Sequence, residues 1–279
     1  MAIDMTKQHQ AIIEILKHSR DIDLTLFRPS FLERRISKRM MMTNRSDLDQ
    51  YVALLTSDAN EIKALKNELT VNVSWLFREP LTWELLKAEI HAKILSKKDN
   101  HQAEIFRIWS AGCAHGEEPY TMAILITELL EKLEGSVNIQ IIATDMDAQA
   151  IAQARNGSYN AEDLKNVPYG LVTKYFSQTG SGFQINSNIK KLVQFSQYDL
   201  LDKQHPTPPE AVFGDFDIVI CQNIMIYYMN EASEQIFSKV AHATRSGGYL
   251  FLGPSEQPVK GPDSVFRQVF KQAKIYKKI

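Results

Sequence analysis

Cysteine is nearly absent: the 279 residues hold two, Cys113 and Cys221. Standing far apart in the chain, they make neither a C-x-x-C pair nor a disulfide framework, so a reducing compartment is expected. Glycine and proline are sparse as well, at 12 and 10 residues, which excludes collagen-like and low-complexity chains. No charge of one sign dominates, because 32 Lys and Arg face 33 Asp and Glu for a formal charge of −1. Coating of nucleic acid by bulk electrostatics needs a large positive excess and is thereby excluded. Long hydrophobic runs are missing too. The longest apolar stretch, residues 216–229, is broken by Asp217, Gln222 and Asn223 and falls short of the roughly 18 residues that suggest a membrane span. The opening MAIDMTKQHQ carries no apolar signal core. A soluble cytoplasmic protein is expected, with no membrane insertion and no nucleic-acid partner. What is present is an ordinary globular composition, 44% hydrophobic and 23% charged, over a length that suits two domains of about 150 residues each.

The first seventy or so residues lack strand-like runs and repeat at helical spacing: Ile12, Ile13 and Leu16, then Leu32, Ile36 and Met40, with Asp47 opening a helix through Tyr51, Leu54 and Leu55 and another expected over 61–69. This predicts a small all-α domain over 1–75. A connecting helix from Pro80 and the polar run SKKDNHQ, 96–102, make a linker segment over 76–102. From 103 to 279 short apolar runs alternate with helices: strands over 105–113, 138–145, 192–199, 216–223 and 247–253, helices over 118–133, 148–155 and 231–244. That alternation predicts parallel βαβ units, whose ligand lies at the carboxyl ends of the strands. A polar hairpin around TGSGFQINSNIKK, 179–191, is set inside a small antiparallel β subdomain of about 176–195. The tail SVFRQVFKQAKIYKK adds two antiparallel edge strands.

The turn after the first strand reads Ala111-Gly112-Cys113-Ala114-His115-Gly116-Glu117-Glu118-Pro119-Tyr120. Small residues let backbone N–H groups approach a ligand, but consecutive carboxylates would repel a pyrophosphate. A cationic group suits Glu117 and Glu118 better, unless they merely complement the helix dipole. The second strand ends in Asp145-Met146-Asp147, where an acid can accept both hydroxyls of a ribose, or one of the pair can cap the next helix. Together these sites ask for a nucleoside with a cationic appendage and no phosphate, the form of S-adenosylmethionine. The seven His and two Cys show no ligand spacing, so no metal is expected.

Five ordered segments, LTVNVSWLFREP (69–80), RIWSAGCAHGEEPYTMA (107–123), IIATDMD (141–147), FDIVICQNIMIYY (216–228) and GGYLFLGPSE (247–256), closely resemble the chemotaxis receptor methyltransferases, the CheR family. DIDLTLFRPSFLERRISKRM (21–40) resembles that family's helical domain. The resemblance implies an α/β class I methyltransferase: a Rossmann-like, mostly parallel sheet with an antiparallel edge, preceded by the all-α domain and carrying the inserted hairpin. It further implies S-adenosylmethionine as cofactor, S-adenosylhomocysteine as product, and glutamates on the cytoplasmic helical bundle of chemoreceptors as substrate, with a monomeric enzyme recruited to receptor arrays.

Residue by residue, the resemblance assigns Asn72, Ser74 and Arg78 to a segment that contacts the cofactor, with Arg78 at the reaction centre. It assigns Glu118 to the methionine amino group, Asp145 to the ribose, Asp199 and Leu200 to the adenine side, Gln222 and Asn223 to a further cofactor pair, and Tyr227 to the transferred methyl. Taken without the resemblance, Arg78 reads equally as a surface ion-pair residue and Tyr227 as a core aromatic. Departures from the family pattern are Gln222 for Arg, Leu76 for Phe, Ser74 for Thr and His115 for Ser or Thr; His115 reads as a solvent-facing loop residue. Residues 28–45 hold six basic side chains against Glu33 alone. Arg34, Arg35, Lys38 and Arg39 crowd one helix face, which is either a solvated face or a docking surface for an acidic receptor. The short hairpin TGSGFQIN implies an enzyme independent of a receptor's carboxyl-terminal pentapeptide. The alternatives are a methyltransferase of this fold with another substrate, or a non-catalytic binding module.

Overall fold

The computed structural model describes residues 7–18, 23–99, 105–133, 137–211, 214–259 and 265–279. Residues 1–6 of the opening segment and 100–102 of the polar run lie outside the described residues. The chain divides into two compact units: residues to Val71 with Met225–Glu234, and Asn72–Ile224 with Gln235–Ile279.

The first unit is helical: α1 (Lys7–His18), a 3-10 turn (Leu24–Leu26), α2 (Pro29–Met42), α3 (Leu48–Ser57) and α4 (Ala59–Leu69). Its starts follow from side-chain chemistry. Asp47 accepts the Gln50 N–H at 2.9 Å and Asp58 the Asn60 N–H at 2.8 Å, satisfying donors that the first turns of α3 and α4 leave open. Ile12, Leu16, Leu32, Ile36, Tyr51, Leu55, Leu65 and Leu69 are buried, and so the helical spacing of the sequence becomes the core. The segment 225–229 joins this unit through main-chain hydrogen bonds, Arg28 N–H to Tyr227 O at 2.9 Å and Met229 N–H to Leu26 O at 2.7 Å. Ring packing adds to it: Phe27 lies 4.6 Å from Tyr228 and Phe31 5.0 Å from Tyr227.

The second unit opens with α5 (Pro80–Asp99), then β1 (Phe106–Ala111), α6 (Glu117–Leu130), β2 (Ile139–Asp145), α7 (Ala148–Asn156), β3 (Ser158–Tyr159), α8 (Tyr169–Tyr175), β4 (Phe176–Thr179), β5 (Gly182–Ile185), α9 (Ser187–Lys190), β6 (Val193–Gln197), β7 (Phe216–Cys221), α10 (Asn230–Ala243), β8 (Thr244–Leu252), β9 (Phe266–Gln268) and β10 (Ile275–Lys278). The large sheet has the order β6-β2-β1-β7-β8-β10-β9. The first five strands are parallel, and β10 runs antiparallel to both β8 and β9. Every residue of β7 is buried, as a parallel strand covered on both faces requires. Chain order reverses between β1 and β7, and a doubly wound sheet places its ligand crevice at the carboxyl ends beside such a switch.

The expected hairpin is β4–β5, but it ends sooner than the polar run 179–191 suggests. Residues 187–190 form a helical turn instead, and two residues of β3 add a third antiparallel strand in the order β3-β5-β4. Among the described residues no helix is long and apolar enough to cross a membrane.

Candidate functional site

The loop from β1 to α6 is built on left-handed backbone at Gly112, Ala114 and Gly116. Gly116, at φ 90°, caps α6, and a Cβ there would press at 3.1–3.2 Å on Ala154, Tyr120 and Phe195, so both conformation and space demand glycine. The loop is tied to β2: the N–H groups of Gly112 and Cys113 reach Thr144 O at 2.7 and 2.9 Å. Asp145, 8% exposed, accepts the Ala114 N–H on Oδ2 and the Asp147 N–H on Oδ1, each at 2.9 Å. Its carboxyl is pushed up by burial, against which the two N–H groups work. Each oxygen keeps a lone pair for a further donor. Asp147 has the other role: its Oδ1 caps α7 at the Gln149 N–H, 2.8 Å, and its Oδ2 accepts from Asn72 Nδ2 at 2.8 Å. The choice that spacing leaves open between the two acids is thus resolved by geometry, cap for Asp147 and loop anchor for Asp145.

Glu118 is partly exposed, and Ser110 Oγ, from the end of β1, donates to its Oε1 at 2.5 Å. Burial first, then the charges of Glu117 and Glu256, push its carboxyl up to about 8, while the Ser110 bond and Arg78 work the other way. Among the described residues no basic group forms a salt bridge with Glu118 or Asp145. Glu117 is 2% exposed and its Oε2 has no hydrogen-bond partner among the described residues. Its Oε1 lies 3.7 Å from His115 Nδ1, a long separation for a hydrogen bond. The His115 pKa is raised by that contact first, with Asp145 and Asp147 adding, although burial opposes it. His115 is therefore half-buried among carboxylates rather than solvent-facing. Three carboxylates at one loop favour a cation, and the residues present fit the ammonium, sulfonium and ribose hydroxyls of S-adenosylmethionine.

The segment 72–79 is strained, with φ 54° at Phe77 and 58° at Glu79 on either side of Arg78. Hydrogen bonds hold it: Leu76 N–H to Asp163 O at 3.0 Å, Phe77 N–H to Thr121 Oγ1 at 3.0 Å, and Trp83 Nε1–H to Arg78 O at 2.7 Å. The Arg78 guanidinium stacks 4.8 Å from the Trp75 ring centroid and donates weakly to Val73 O at 3.4 Å. Ser74 is half-buried. After β6, Leu200 is 8% exposed, and exposed Asp199 closes a turn by accepting the Leu201 N–H at 2.8 Å. After β7, Gln222 Nε2 reaches Leu252 O at 3.4 Å and Asn223 adopts φ 57°. The predicted cofactor residues thus gather at the carboxyl ends of the adjacent strands β6, β2, β1 and β7 and on the segment before α5. Tyr227 belongs to the helical unit, half-buried beside Phe31.

Sequence reasoning missed two residues, Ser110, which holds Glu118, and Glu256, buried after β8, while Glu117 stands in the loop that it read as suiting a cation. The signal for Glu256 is an acid just beyond the Gly-Pro end of a strand, within reach of the loop that follows β7.

The basic helix face is not free. Arg39 forks onto Glu61, Nε to Oε1 at 2.9 Å and Nη2 to Oε2 at 2.5 Å, and Tyr51 donates to Glu61 at 2.8 Å. Arg35 and Lys38 both reach Glu68 Oε1, at 3.0 and 2.7 Å. Burial raises the Glu68 carboxyl, but the hydrogen bonds and charges of Lys38 and Arg35 outweigh it and hold it below the ordinary range. Arg39 is 13% exposed at its side chain and Lys38 54%, so the former serves the helical packing and the latter still faces solvent.

A doubly wound sheet with antiparallel edge strands, a glycine loop after β1, an acid at the end of β2 and no phosphate-friendly charge define a class I S-adenosylmethionine-dependent methyltransferase. The chain belongs to the CheR methyltransferase family: the family's SAM binding domain matches residues 72–275 and its all-alpha domain residues 7–70. The chemotaxis protein methyltransferase of Borreliella burgdorferi is 29% identical over 91% of this chain and 89% of its own length. Chemotaxis protein methyltransferase 2 of Vibrio cholerae is 32% identical over 81% of this chain and 77% of its own. An uncharacterized 104.1 kDa protein of Rhodobacter capsulatus is 33% identical over 90% of this chain, which spans only 26% of that protein.

Proposed function

We propose that this chain transfers the methyl group of S-adenosylmethionine to glutamate side chains on the cytoplasmic helical region of chemoreceptors, making γ-glutamyl methyl esters. The observation that carries the reading is the match of both domains of one methyltransferase family in order along residues 7–275. S-adenosylmethionine, when bound, supplies an electrophilic methyl on a sulfonium. Glu118 holds the ammonium and Asp145 the ribose hydroxyls, while Asp199 and Leu200 flank the adenine and Asn72, Ser74, Gln222 and Asn223 complete the polar wall. A receptor glutamate is already ionised near pH 7 and needs no general base. What the protein supplies is alignment and desolvation. Arg78 holds the substrate carboxylate through two N–H bonds, and Tyr227 orients it with its hydroxyl or turns its ring to the sulfonium. With the substrate carboxylate already ionised and held in line, the protein would have no proton to move during the transfer.

Arg34 and Lys38, the latter solvent-facing although it shares Glu68 with Arg35, carry receptor docking by complementary charge, with Arg39 held to Glu61. The β4–β5 turn has two residues, Gly180 and Ser181, which supports methylation without a pentapeptide tether. The chain acts as a monomer at cytoplasmic receptor arrays. The test is transfer of radiolabelled methyl to purified receptor cytoplasmic fragments, followed by alkali treatment. Base-labile label on the receptor is expected. Absence of label from a protein that binds S-adenosylmethionine would move the reading to another substrate or to a regulatory module. Micromolar binding of an isolated receptor tail peptide would overturn the pentapeptide independence.

A further inference from the structure

Glu256 is 4% exposed, and main-chain donors take both of its oxygens. Oε2 accepts the N–H of Asn223 and of Gly253, each at 2.8 Å, and Oε1 accepts the N–H of Ile224 at 2.9 Å. The Glu256 N–H itself returns to Gly253 O at 2.9 Å. The donors sit at the carboxyl ends of β7 and β8, neighbours in the sheet on the side of the switch occupied by Gln222 and Asn223. A carboxylate that gathers several backbone N–H groups is strongly bound and rigid, because each bond is charge-assisted. The fit is close as well: a Cβ at Gly253 would come within 2.7 Å of Asn223 N and 2.8 Å of Glu256 Oε2. Asn223, at φ 57°, is in a conformation that a non-glycine residue keeps only when its surroundings insist.

We propose that Glu256 is a positioning residue of the cofactor site, whose carboxylate holds the turn Gln222-Asn223-Ile224 in its binding conformation through two main-chain hydrogen bonds and ties it to Gly253 through a third. This rests on the reading of the strand ends as the S-adenosylmethionine site. Glu256 also acts at a distance. Its charge, with that of Glu117, raises the proton affinity of Glu118, which Ser110 and Arg78 lower. Loss of the charge therefore has a signature that a merely mechanical strut lacks.

The experiment is calorimetric titration of the full chain with S-adenosylhomocysteine from pH 6 to 9. Wild type, Glu256→Gln and Gly253→Ala are compared. Failure of the wild type to bind would overturn the cofactor reading itself, and with it this proposal. With the wild type binding, Glu256→Gln is expected to weaken affinity about tenfold at its own pH optimum and to move the acid limb of the pH profile to lower pH. Gly253→Ala keeps the charge but displaces Asn223, so affinity falls and the acid limb stays where it is. Wild-type affinity and pH profile in Glu256→Gln would overturn the proposal. If that variant does not fold, wild-type affinity in Gly253→Ala overturns it instead.

Discussion

The helical unit and the strand ends of the sheet unit hold their acids in opposite ways. In the helical unit Glu61 meets Arg39 and Tyr51, and Glu68 meets Arg35 and Lys38, so each buried carboxylate carries its own cation. The sheet unit has such a pair too, buried Asp217 with Arg245 at 3.2 Å, but at its strand ends part-exposed Glu118 meets a hydroxyl, Asp145 meets backbone N–H groups, and one oxygen of Glu117 meets no partner among the described residues. Burying a charge is costly unless it is paired. The first arrangement is complete in itself, whereas the second suits a cation, which on the proposed reading the cofactor brings.

Breaking a complete pair should cost most. Arg39→Ala leaves Glu61 buried without its guanidinium, and urea unfolding should report a loss of about 3–5 kcal/mol; a midpoint equal to wild type would remove the pair from the packing. Breaking the incomplete set should do the reverse to stability. Glu118→Gln should raise the dissociation constant for S-adenosylmethionine about a hundredfold, yet increase the melting temperature of the unliganded protein by about 3 °C at pH 8. The sign follows from linkage: the folded carboxyl titrates near 8 against 4.5 for the free group, so the folded state holds more protons between those values. Its stability therefore falls as pH rises through that window. The melting gap between variant and wild type should widen from pH 5 to pH 8, and a constant gap would contradict the buried-acid account.

Asp145→Ala should weaken cofactor binding about tenfold, since ribose and loop anchors are lost together; unchanged binding would remove Asp145 from the ribose. Tyr227→Phe should leave cofactor affinity intact and slow transfer several-fold, with a wild-type rate ending the hydroxyl's role. Smallest is the surface effect. Arg34→Glu with Lys38→Glu should lower receptor methylation a few-fold at low salt, with the difference fading as salt rises. Equal rates across salt would return this face to plain solvation.

Most of the fold was legible because its signals are local. Alternation of buried runs with helices marks the parallel strands, Asp47 marks the start of α3, and Gly-Cys-Ala-His-Gly-Glu-Glu marks the loop where β1 meets α6. The pairing partners were not, because they are separated in the chain. Nothing near Arg39 announces Glu61, and nothing near Asn223 announces Glu256, 33 residues on. Two-residue β3 is too short to show a period, and the helical turn at 187–190 lies in polar sequence that reads as strand or loop. Asp145 and Asp147 are alike in composition and spacing; only their hydrogen-bond partners separate anchor from cap.

If the cofactor's cation completes Glu118, whose carboxyl is pushed up to about 8 by burial first, binding must drive a proton off it. Calorimetry of S-adenosylmethionine binding at pH 7, repeated in buffers of different ionisation enthalpy, counts the protons exchanged. Release of about one proton in the wild type and of none in Glu118→Gln is the predicted result. Tight binding with no proton released by the wild type would mean that Glu118 is not the group the cation meets.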